Sequence, residues 1–237
     1  MAKITEINGN IFNTSCQVIV NTVNCLGVMG KGIAYEFKLR YPDMYEKYKE
    51  YCDKGVIQIG TLQHWSKSNP EILNFPTKND WKRPSKIEYL EKGLEKLAET
   101  YQKRNISSIA FPYLGVGAGG LDEQKVLELM KSKLSPLDNL EVEIYSYDPN
   151  ANDNAFDLLV SKTKRFSNDD YKTYIGLNKT QTKNLIEAIE DSRYSQTIQL
   201  QYIQGISIKS LEKIHTFINS NQKIITNSEA NPSLPFS

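Results

Sequence analysis

Runs of apolar residues alternate with amphipathic segments along the first two thirds of the chain. Residues 17–23 (QVIVNTV) are β-branched and apolar, which predicts a buried strand. Residues 33–51 carry aliphatic and aromatic side chains at helical spacing. Pro42 divides this stretch into two predicted helices, and Gly55 ends the second. The chain therefore opens with a strand followed by a helical pair.

The same alternation continues through the middle of the chain. Two short strands are predicted at 57–65 and 72–78, with a turn between them. Residues 86–103 place apolar side chains on one face and predict an amphipathic helix, with Ser85 as its N-cap. Two further strands and a helix are predicted at 107–114, 140–148 and 123–134. This pattern predicts an α/β sandwich with a largely parallel or mixed sheet.

The composition changes beyond Lys162, where strand patterns end and polar residues dominate. We therefore predict a first domain at 1–162, a small helical appendage at 163–223 and a disordered tail at 224–237. Helical patterns within the appendage lie at 180–191, 197–203 and 208–218. Residues 200–218 also resemble a DNA-binding helix-hairpin-helix element, although an ordinary helical hairpin is favoured, because the turn lacks a second glycine.

Composition narrows the possible settings and chemistries. The 237 residues have a formal net charge of +1, which argues against a dedicated binder of nucleic-acid backbone. The N-terminus lacks the apolar core of a signal peptide and no apolar run reaches spanning length, so we expect a cytoplasmic protein that does not enter membranes. The three cysteines show no C-x-x-C spacing and there are two histidines, so we expect no metal site. We also expect a monomer.

Two glycine-rich loops are the main candidates for chemistry. Residues 27–32 (GVMGKG) and 115–120 (GVGAGG) each follow a predicted strand. Glycine lets backbone N–H groups approach an anion, so two such loops suit a diphosphate held from two sides; tight turns are the alternative. The first loop lacks the P-loop spacing. The second fits G-x-G-x-x-G, but Asp148 lies too far away to serve a dinucleotide fold. A kinase, an ATPase and a dehydrogenase are therefore disfavoured.

Four segments together resemble the macrodomain family, and more closely its DarG-like branch. They are GNIF at 9–12, VNTVNCLGVMGKGIA at 20–34, NFPTK at 74–78 followed by Trp81, and PYLGVGAGGLD at 112–122. The resemblance covers roughly residues 1–150. It implies a three-layer α/β/α sandwich with a mixed sheet, with ADP-ribose as the ligand or product and no cofactor.

The resemblance also implies which residues bind ADP-ribose. Asn10 and Ile11 match the adenine contact, with asparagine where many macrodomains carry aspartate, so adenine binding is expected to be weaker. Asn24 matches the residue that hydrogen-bonds the distal ribose, and Tyr147 or Pro149 is expected to flank the adenine, although rim packing explains a tyrosine equally well. The full set implied to bind substrate is Asn10, Ile11, Asn21, Thr22, Asn24, Gly27, Val28, Met29, Gly30, Gly32, Gly115, Val116, Gly117, Ala118, Gly119, Gly120 and Tyr147.

Lys78, at the end of the strand at 72–78, matches the catalytic lysine of the DarG-like branch. Whether it acts as an ammonium group or as a nucleophilic amine stays open. Protein-directed relatives also use an aspartate in the second loop, where this chain has Gly119; Asp122 lies three residues on and is expected to be a helix N-cap. The resemblance thus implies hydrolysis of ADP-ribose from a nucleobase in DNA, with thymidine as the expected base. A hydrolase acting on glutamate or aspartate and a non-catalytic reader are the alternatives.

A basic and aromatic cluster follows Lys78. Trp81, Lys82 and Arg83, with Lys86 nearby, combine a stacking surface with positive charge, as single-stranded DNA binding requires. A solvated loop is equally compatible with this composition. In the DarG-like branch the enzyme reverses the action of a DarT-like toxin, and whether this chain binds such a toxin stays open.

Overall fold

The computed structural model describes residues 1–220, which fall in two compact units. The first unit is Met1–Asp148 and the second begins at Pro149. The division therefore lies before the boundary predicted at residue 162, and the predicted tail at 224–237 lies outside the described residues.

The first unit contains a six-stranded mixed sheet. Its strands are β1 (Lys3–Gly9), β2 (Val18–Asn24), β3 (Gln63–Trp65), β4 (Glu71–Lys78), β5 (Ser108–Pro112) and β6 (Glu141–Tyr147). Their order across the sheet is β1-β6-β5-β2-β4-β3, and every neighbouring pair is parallel except β3 with β4. The predicted mixed sheet is confirmed.

Helices cover both faces of this sheet, as predicted. They are α1 (Gly32–Arg40), α2 (Pro42–Asp53), α3 (Ile87–Thr100) and α4 (Glu123–Leu134). Alternate residues of β2 point to opposite faces: Val18 and Val20 pack in one hydrophobic cluster with α3 and α4, whereas Ile19 packs in the other with α1 and α2. Burial on both faces explains why β2 is a continuous apolar run rather than an alternating one.

Three local features differ from the sequence predictions. Strand β1 was not predicted, because its isoleucines, Ile4 and Ile7, are three residues apart and do not alternate. Only Gln63–Trp65 of the strand predicted at 57–65 forms, since Gly60 adopts a left-handed φ of 88°. Ser85 is not the N-cap of α3: Lys86 occupies that position, and Ser85 is buried beside the second glycine loop.

The second unit is helical within its described residues. It contains α5 (Asn154–Thr163), a short α6 (Asn168–Asp170) continued by a π-helical turn at Tyr171–Ile175, α7 (Lys179–Glu190), a 3-10 helix at Thr197–Tyr202 and α8 (Ile208–Asn219). The predicted helices at 180–191 and 208–218 are confirmed by α7 and α8.

Helix α5 belongs to the second unit because its C-terminal lysine satisfies the end of α8. The Lys162 Nζ donates to the carbonyls of Phe217, Ile218 and Ser220 at 3.2, 2.8 and 2.7 Å. These carbonyls lie at the C-terminal end of α8, and that of Phe217 also accepts the Ser220 N–H at 3.1 Å. The helical character predicted after residue 149 thus starts the second unit. Among the described residues, no helix has both the length and the apolar character needed to cross a membrane.

Candidate functional site

Five parallel strands end at the same edge of the sheet, and most of the predicted site residues lie there. The ends of β2 and β4 are neighbours, with Asn24 paired to Lys78. At the far side Gly9 of β1 pairs with Tyr147 of β6. The edge formed by the carboxyl ends of parallel strands is where open α/β sheets bind ligands. The sheet therefore brings both glycine loops, Lys78 and the predicted adenine contacts to one side of the unit.

The Asn24 side chain organises the first glycine loop. Its Oδ1 accepts the N–H groups of Leu26 and Val28 at 2.9 and 3.3 Å, and its Nδ2 donates to the Val28 carbonyl at 2.5 Å. The amide is buried, so these bonds fold the loop back onto the end of β2. The structure thus shows that Asn24 stabilises the first loop. The ribose contact that the resemblance implies stays a prediction, and it would use the second N–H of the Asn24 amide.

Helix α2 packs against the first loop and the end of β2. The Tyr48 hydroxyl donates to the Asn24 carbonyl at 2.6 Å. Gly27 has a φ of 77°, and a Cβ there would lie 3.3 Å from the Lys49 side chain and 3.4 Å from Cys52. The loop can pack this closely on α2 only with glycine at that position.

The first loop ends at the N-terminus of α1. Lys31 is its N-cap residue, and no side chain within the described part of the chain caps the helix. The Lys31 side chain therefore satisfies none of the first-turn N–H groups, which an α-helix leaves without an intrahelical acceptor. An uncapped helix N-terminus next to a glycine loop favours an anionic ligand.

A β-bulge directs Lys78 toward the second loop. Val23 pairs with Pro76 but Asn24 pairs with Lys78, so Thr77 is the extra residue in β4. Bulges of this kind re-aim the side chain that follows them. The Lys78 Nζ donates to the Ala118 carbonyl at 2.5 Å. Lys78 therefore pairs through its backbone with Asn24, next to the first loop, and reaches the second loop with its side chain.

The second loop is a tight backbone structure with no room for side chains at its centre. Leu121 N–H donates to the Gly115 carbonyl at 3.1 Å, and Gly120 N–H donates to the Val116 carbonyl at 2.7 Å. A Cβ at Gly119 would lie 2.0 Å from the Gly115 oxygen and 2.5 Å from the Ser85 Oγ. The folded loop thus excludes an aspartate at 119.

Asp122 does not replace that aspartate. Its Oδ1 accepts the Lys125 N–H at 2.9 Å and caps α4, which confirms the predicted N-cap. A carboxylate that caps a helix is already oriented by backbone N–H groups. Lys78 is therefore the candidate catalytic group without an accompanying carboxylate from the second loop.

Ser85 stabilises the second glycine loop, a role that the sequence analysis did not predict. Its N–H donates to the Gly119 carbonyl at 2.9 Å, and its side chain is buried against Gly115 and Gly119. A serine before an amphipathic helix is usually an N-cap, so the sequence predicted that role for Ser85. Nothing local indicated its contact with Gly119, which is more than thirty residues away. Only the fold brings the two segments together.

The predicted adenine contacts meet at the other end of the edge. Asn10 is buried, and its Oδ1 accepts the Phe12 N–H at 3.0 Å, capping a 3-10 turn that begins at Ile11. Its Nδ2 has no hydrogen-bond partner among the described residues. Tyr147 is 61% exposed beside Gly9, in register with the residue preceding Asn10. An amide nitrogen with no partner among the described residues thus follows the end of β1, where β1 pairs with the exposed Tyr147.

Asn21 lies inside the sheet rather than in either loop. Its Nδ2 donates to Asn74 Oδ1 at 2.7 Å, and Asn74 Nδ2 donates to Gln63 Oε1 at 2.9 Å, so three strands share a ladder of buried amides. Asn21 also approaches the sulfur of Met29, which is buried beneath the first loop. Thr22, the next residue of β2, is half-buried. We interpret Asn21 as a support for the loop rather than a ligand contact.

The thiol nearest the first loop is not a nucleophile at neutral pH. Burial raises the pKa of Cys25 from its ordinary value of 9.0 to about 11, with a smaller contribution from Cys52. The neutral thiol is a poor nucleophile. The described residues contain no group of three or more histidine, cysteine or acidic side chains placed to hold a metal ion.

The segment after Lys78 is an ordered turn on the surface. The Asp80 side chain accepts the Lys82 N–H at 2.9 Å and its carbonyl accepts the Arg83 N–H at 3.0 Å. Trp81 is 49% exposed, and the Lys82 Nζ lies 5.1 Å from the centre of its ring. The predicted DNA contacts Trp81, Lys82 and Arg83 are thus presented together beside Lys78.

Comparison with known proteins identifies the fold family. Residues 20–130 match the model of the family described as Macro domain. The macrodomain of Mycobacterium tuberculosis DarG is 40% identical with a TM-score of 0.59, and the match covers 61% of this chain and 98% of that one. The chain belongs to the macrodomain family.

Two further relatives resemble this macrodomain. A DNA ADP-ribosyl glycohydrolase from Thermus aquaticus is 40% identical over 162 residues, which is 67% of this chain and 44% of that protein. The structure of Thermosipho africanus DarTG in complex with ADP-ribose is 34% identical with a TM-score of 0.58, covering 62% of this chain and 42% of that one. The chain thus spans less than half the length of the whole relatives it matches.

Proposed function

We propose that this macrodomain is a DNA ADP-ribosyl glycohydrolase, with Lys78 as its catalytic residue. The observation that carries the proposal is the position of Lys78 at the end of β4, where it pairs with Asn24 and its Nζ is bonded to the Ala118 carbonyl of the second glycine loop. The similarity to a Thermus aquaticus protein named as a DNA ADP-ribosyl glycohydrolase supports the same activity.

ADP-ribose fits the chemistry of this edge. The uncapped N-terminus of α1 and the backbone N–H groups of both loops suit the diphosphate. The Asn10 Nδ2 and the exposed ring of Tyr147 suit a nucleobase at the other end. The proposal draws further support from a macrodomain-containing relative whose structure holds ADP-ribose.

The proposed reaction breaks the N-glycosidic bond between the distal ribose and a thymine in DNA. The oxygen of one water molecule bonds to the anomeric carbon and loses a proton, the electron pair of the C–N bond leaves with the base nitrogen, and that nitrogen takes up a proton. The products are ADP-ribose and the unmodified base, so no external oxidant or reductant is consumed.

Lys78 suits two roles in this reaction. As an ammonium group it stabilises the negative charge that develops on the departing base. As a free amine it attacks the anomeric carbon and displaces the base, whose nitrogen takes up the proton that the amine loses; water then replaces the lysine at that carbon and restores the amine. In either role the bond to Ala118 orients the Nζ, and its other hydrogens or its lone pair face the substrate.

The closed second loop favours DNA over acidic side chains as the substrate. A two-residue mechanism with a lysine and an aspartate needs a carboxylate at the position of Gly119, where a Cβ would lie 2.0 Å from the Gly115 oxygen. Asp122 is used as the cap of α4. We therefore propose that Lys78 acts without that carboxylate.

We further propose that the substrate is made by a DarT-like transferase, with this protein as a monomeric antitoxin. A Thermosipho africanus relative is named as a fusion of a DNA ADP-ribosyl transferase with a DNA ADP-ribosyl glycohydrolase. A chain that carries both activities links the two reactions on one substrate, which supports a DarT-like enzyme as the functional partner here.

Single-stranded DNA that carries ADP-ribose on thymidine tests the proposal. We expect the wild-type protein to release ADP-ribose, measured by chromatography, and Lys78→Ala to lose at least about a hundredfold in rate, the usual scale for a positioned electrostatic or acid-base group. Lys103→Ala, which removes an exposed lysine from another surface, is the matched control and should keep the wild-type rate.

Binding measurements separate the alternatives. Calorimetry should show ADP-ribose bound by both the wild type and Lys78→Ala. Binding without release by the wild type would identify a reader. Release from ADP-ribosylated glutamate but not from DNA would identify a protein-directed hydrolase, and either result would refute the proposed reaction.

A further inference from the structure

A short surface segment joins β4 to α3, and both of its ends are bonded to the second glycine loop. We call residues 79–84 the bridging segment. On one side Lys78 donates to the Ala118 carbonyl at 2.5 Å; on the other Ser85 N–H donates to the Gly119 carbonyl at 2.9 Å. The segment is thus anchored to two consecutive carbonyls of a loop proposed to hold ADP-ribose.

The tip of the bridging segment is ordered by its own hydrogen bonds. Asp80 accepts the Lys82 N–H through its side chain and the Arg83 N–H through its carbonyl, at 2.9 and 3.0 Å. These bonds form a tight turn and engage the one acidic side chain of the segment. Because the segment's own hydrogen bonds fix the turn, little further ordering is required when a partner binds.

This ordered tip presents an aromatic ring among positive charges. Trp81 is 49% exposed, although tryptophan is among the more buried residue types on average. Lys82 lies over its ring, and Arg83 and Lys86 are also exposed. A half-exposed indole suits stacking on a nucleobase, and neighbouring cations suit phosphates.

The strand next to β4 also carries an exposed apolar side chain beyond its end. Cys25 N–H donates to the Asn79 carbonyl at 3.2 Å, so β2 and β4 stay joined one residue beyond their ends. Leu26 follows that bond on the first loop and is 54% exposed. Two exposed apolar side chains, Leu26 after β2 and Trp81 after β4, therefore follow the ends of the two adjacent strands.

We propose that the bridging segment is a recognition element for single-stranded DNA. Trp81 stacks on a base next to the modified nucleotide, while Lys82 and Arg83 bind phosphates of the strand. This inference rests on the proposed function, because it places the modified nucleotide at Lys78. Anchoring at Lys78 and Ser85 couples strand binding to the geometry of the second loop. A duplex does not offer the stacking surface, because its bases are paired and stacked on each other.

Intrinsic fluorescence with unmodified DNA tests the stacking step without requiring hydrolysis. The chain has two tryptophans, Trp65 and Trp81. We expect a short thymidine oligonucleotide to quench the emission of the full-length wild type. Trp81→Ala should abolish the quenching and weaken the affinity about tenfold, the scale of one base–aromatic contact. Trp81→Phe should recover most of the affinity, and Trp65→Phe should keep the quenching.

Salt dependence tests the phosphate contacts. The double variant Lys82→Ala, Arg83→Ala removes two cations, so the slope of log K against log salt should fall by about 1.4 for a single strand. Lys103→Ala removes an exposed lysine elsewhere and should leave the slope unchanged.

The proposal is overturned if Trp81→Ala binds the oligonucleotide as tightly as the wild type. It is also overturned if a duplex of the same sequence binds as tightly as the single strand, because backbone charge would then suffice. Tighter, Trp81-dependent binding of an acidic peptide would assign the segment to a protein partner. Because unmodified DNA is the probe, DNA binding that depends on Trp81 would stand even if Lys78→Ala had no effect on release.

Discussion

Gly119 shows how a single position constrains the chemistry of the site. Its Cβ would lie within 2.0 Å of the Gly115 oxygen and 2.5 Å of the Ser85 Oγ, both of which are buried. The Gly115 oxygen is a backbone atom that moves only with the loop, so the loop must open to admit any other residue. The glycine therefore keeps a carboxylate away from Lys78 and also permits the bond between Ser85 N–H and the Gly119 carbonyl.

Replacing Gly119 with alanine is expected to destabilise the first unit. The added methyl group forces the loop away from Ser85, at a cost of about 1–3 kcal/mol for overpacking, which lowers the melting temperature by several degrees. Gly117→Ala is the matched control, because no atom lies within 4 Å of its added Cβ. Thermal unfolding of the three proteins checks this, and equal melting temperatures for Gly119→Ala and wild type would show that the loop opens at no cost.

At the scale of elements, the site depends on how β2 ends and the first loop begins. The Asn24 amide binds three backbone groups of the loop, and Tyr48 of α2 holds the Asn24 carbonyl. The bulge at Thr77 then aligns Lys78 with Asn24. The end of β2, the first loop and α2 thus meet at Asn24. The hydrogen bonds of this residue fix the backbone that carries the proposed phosphate-binding N–H groups.

Asn24→Ala is expected to loosen this loop and weaken ADP-ribose binding by about tenfold, since each buried polar group left unpaired costs roughly 1–3 kcal/mol. Calorimetry measures the affinity. Hydrogen exchange of the Leu26 and Val28 amides without ligand reports on the loop itself, and faster exchange is expected. Gln124→Ala removes an exposed amide from α4 and should change neither quantity. Unchanged exchange with weaker binding would assign Asn24 to ligand contact alone.

At the scale of the whole molecule, the candidate site belongs entirely to the first unit. Both glycine loops, Lys78, Asn10 and Tyr147 lie within Met1–Asp148, which has its own sheet and two hydrophobic clusters. The Mycobacterium tuberculosis macrodomain matches 61% of this chain, close to the extent of that unit. The second unit is therefore not required to build the proposed active site.

A fragment of residues 1–148 is expected to fold and to release ADP-ribose from modified single-stranded DNA at a rate comparable with that of the full chain. Circular dichroism and the release assay measure the two properties, with the Lys78→Ala fragment as the inactive control. A folded fragment that binds ADP-ribose but does not release it would assign a catalytic contribution to the second unit.

The sequence by itself determined the fold class and indicated the location of the candidate site. Buried strands are continuous apolar runs and helices are amphipathic, so local periodicity is sufficient to predict the α/β alternation. The glycine loops and the capping aspartate Asp122 were also evident, because their types and spacing are local signals, whereas Lys78 was indicated by the resemblance to the DarG-like branch. The local predictions failed where the pattern was weak. Strand β1 was not predicted because its apolar and polar residues do not alternate, and Gly60 interrupts the strand predicted at 57–65.

Only the tertiary structure decided which groups meet. Ser85 is far from Gly119 in sequence, so nothing local indicates that its N–H holds the second loop instead of capping α3. The bulge that pairs Asn24 with Lys78 depends on the register between two strands separated by the whole of α1 and α2. Hydrogen bonds between distant segments form only when the strands pair. These bonds orient Lys78 and hold the second loop in a shape that has no room for a carboxylate at position 119.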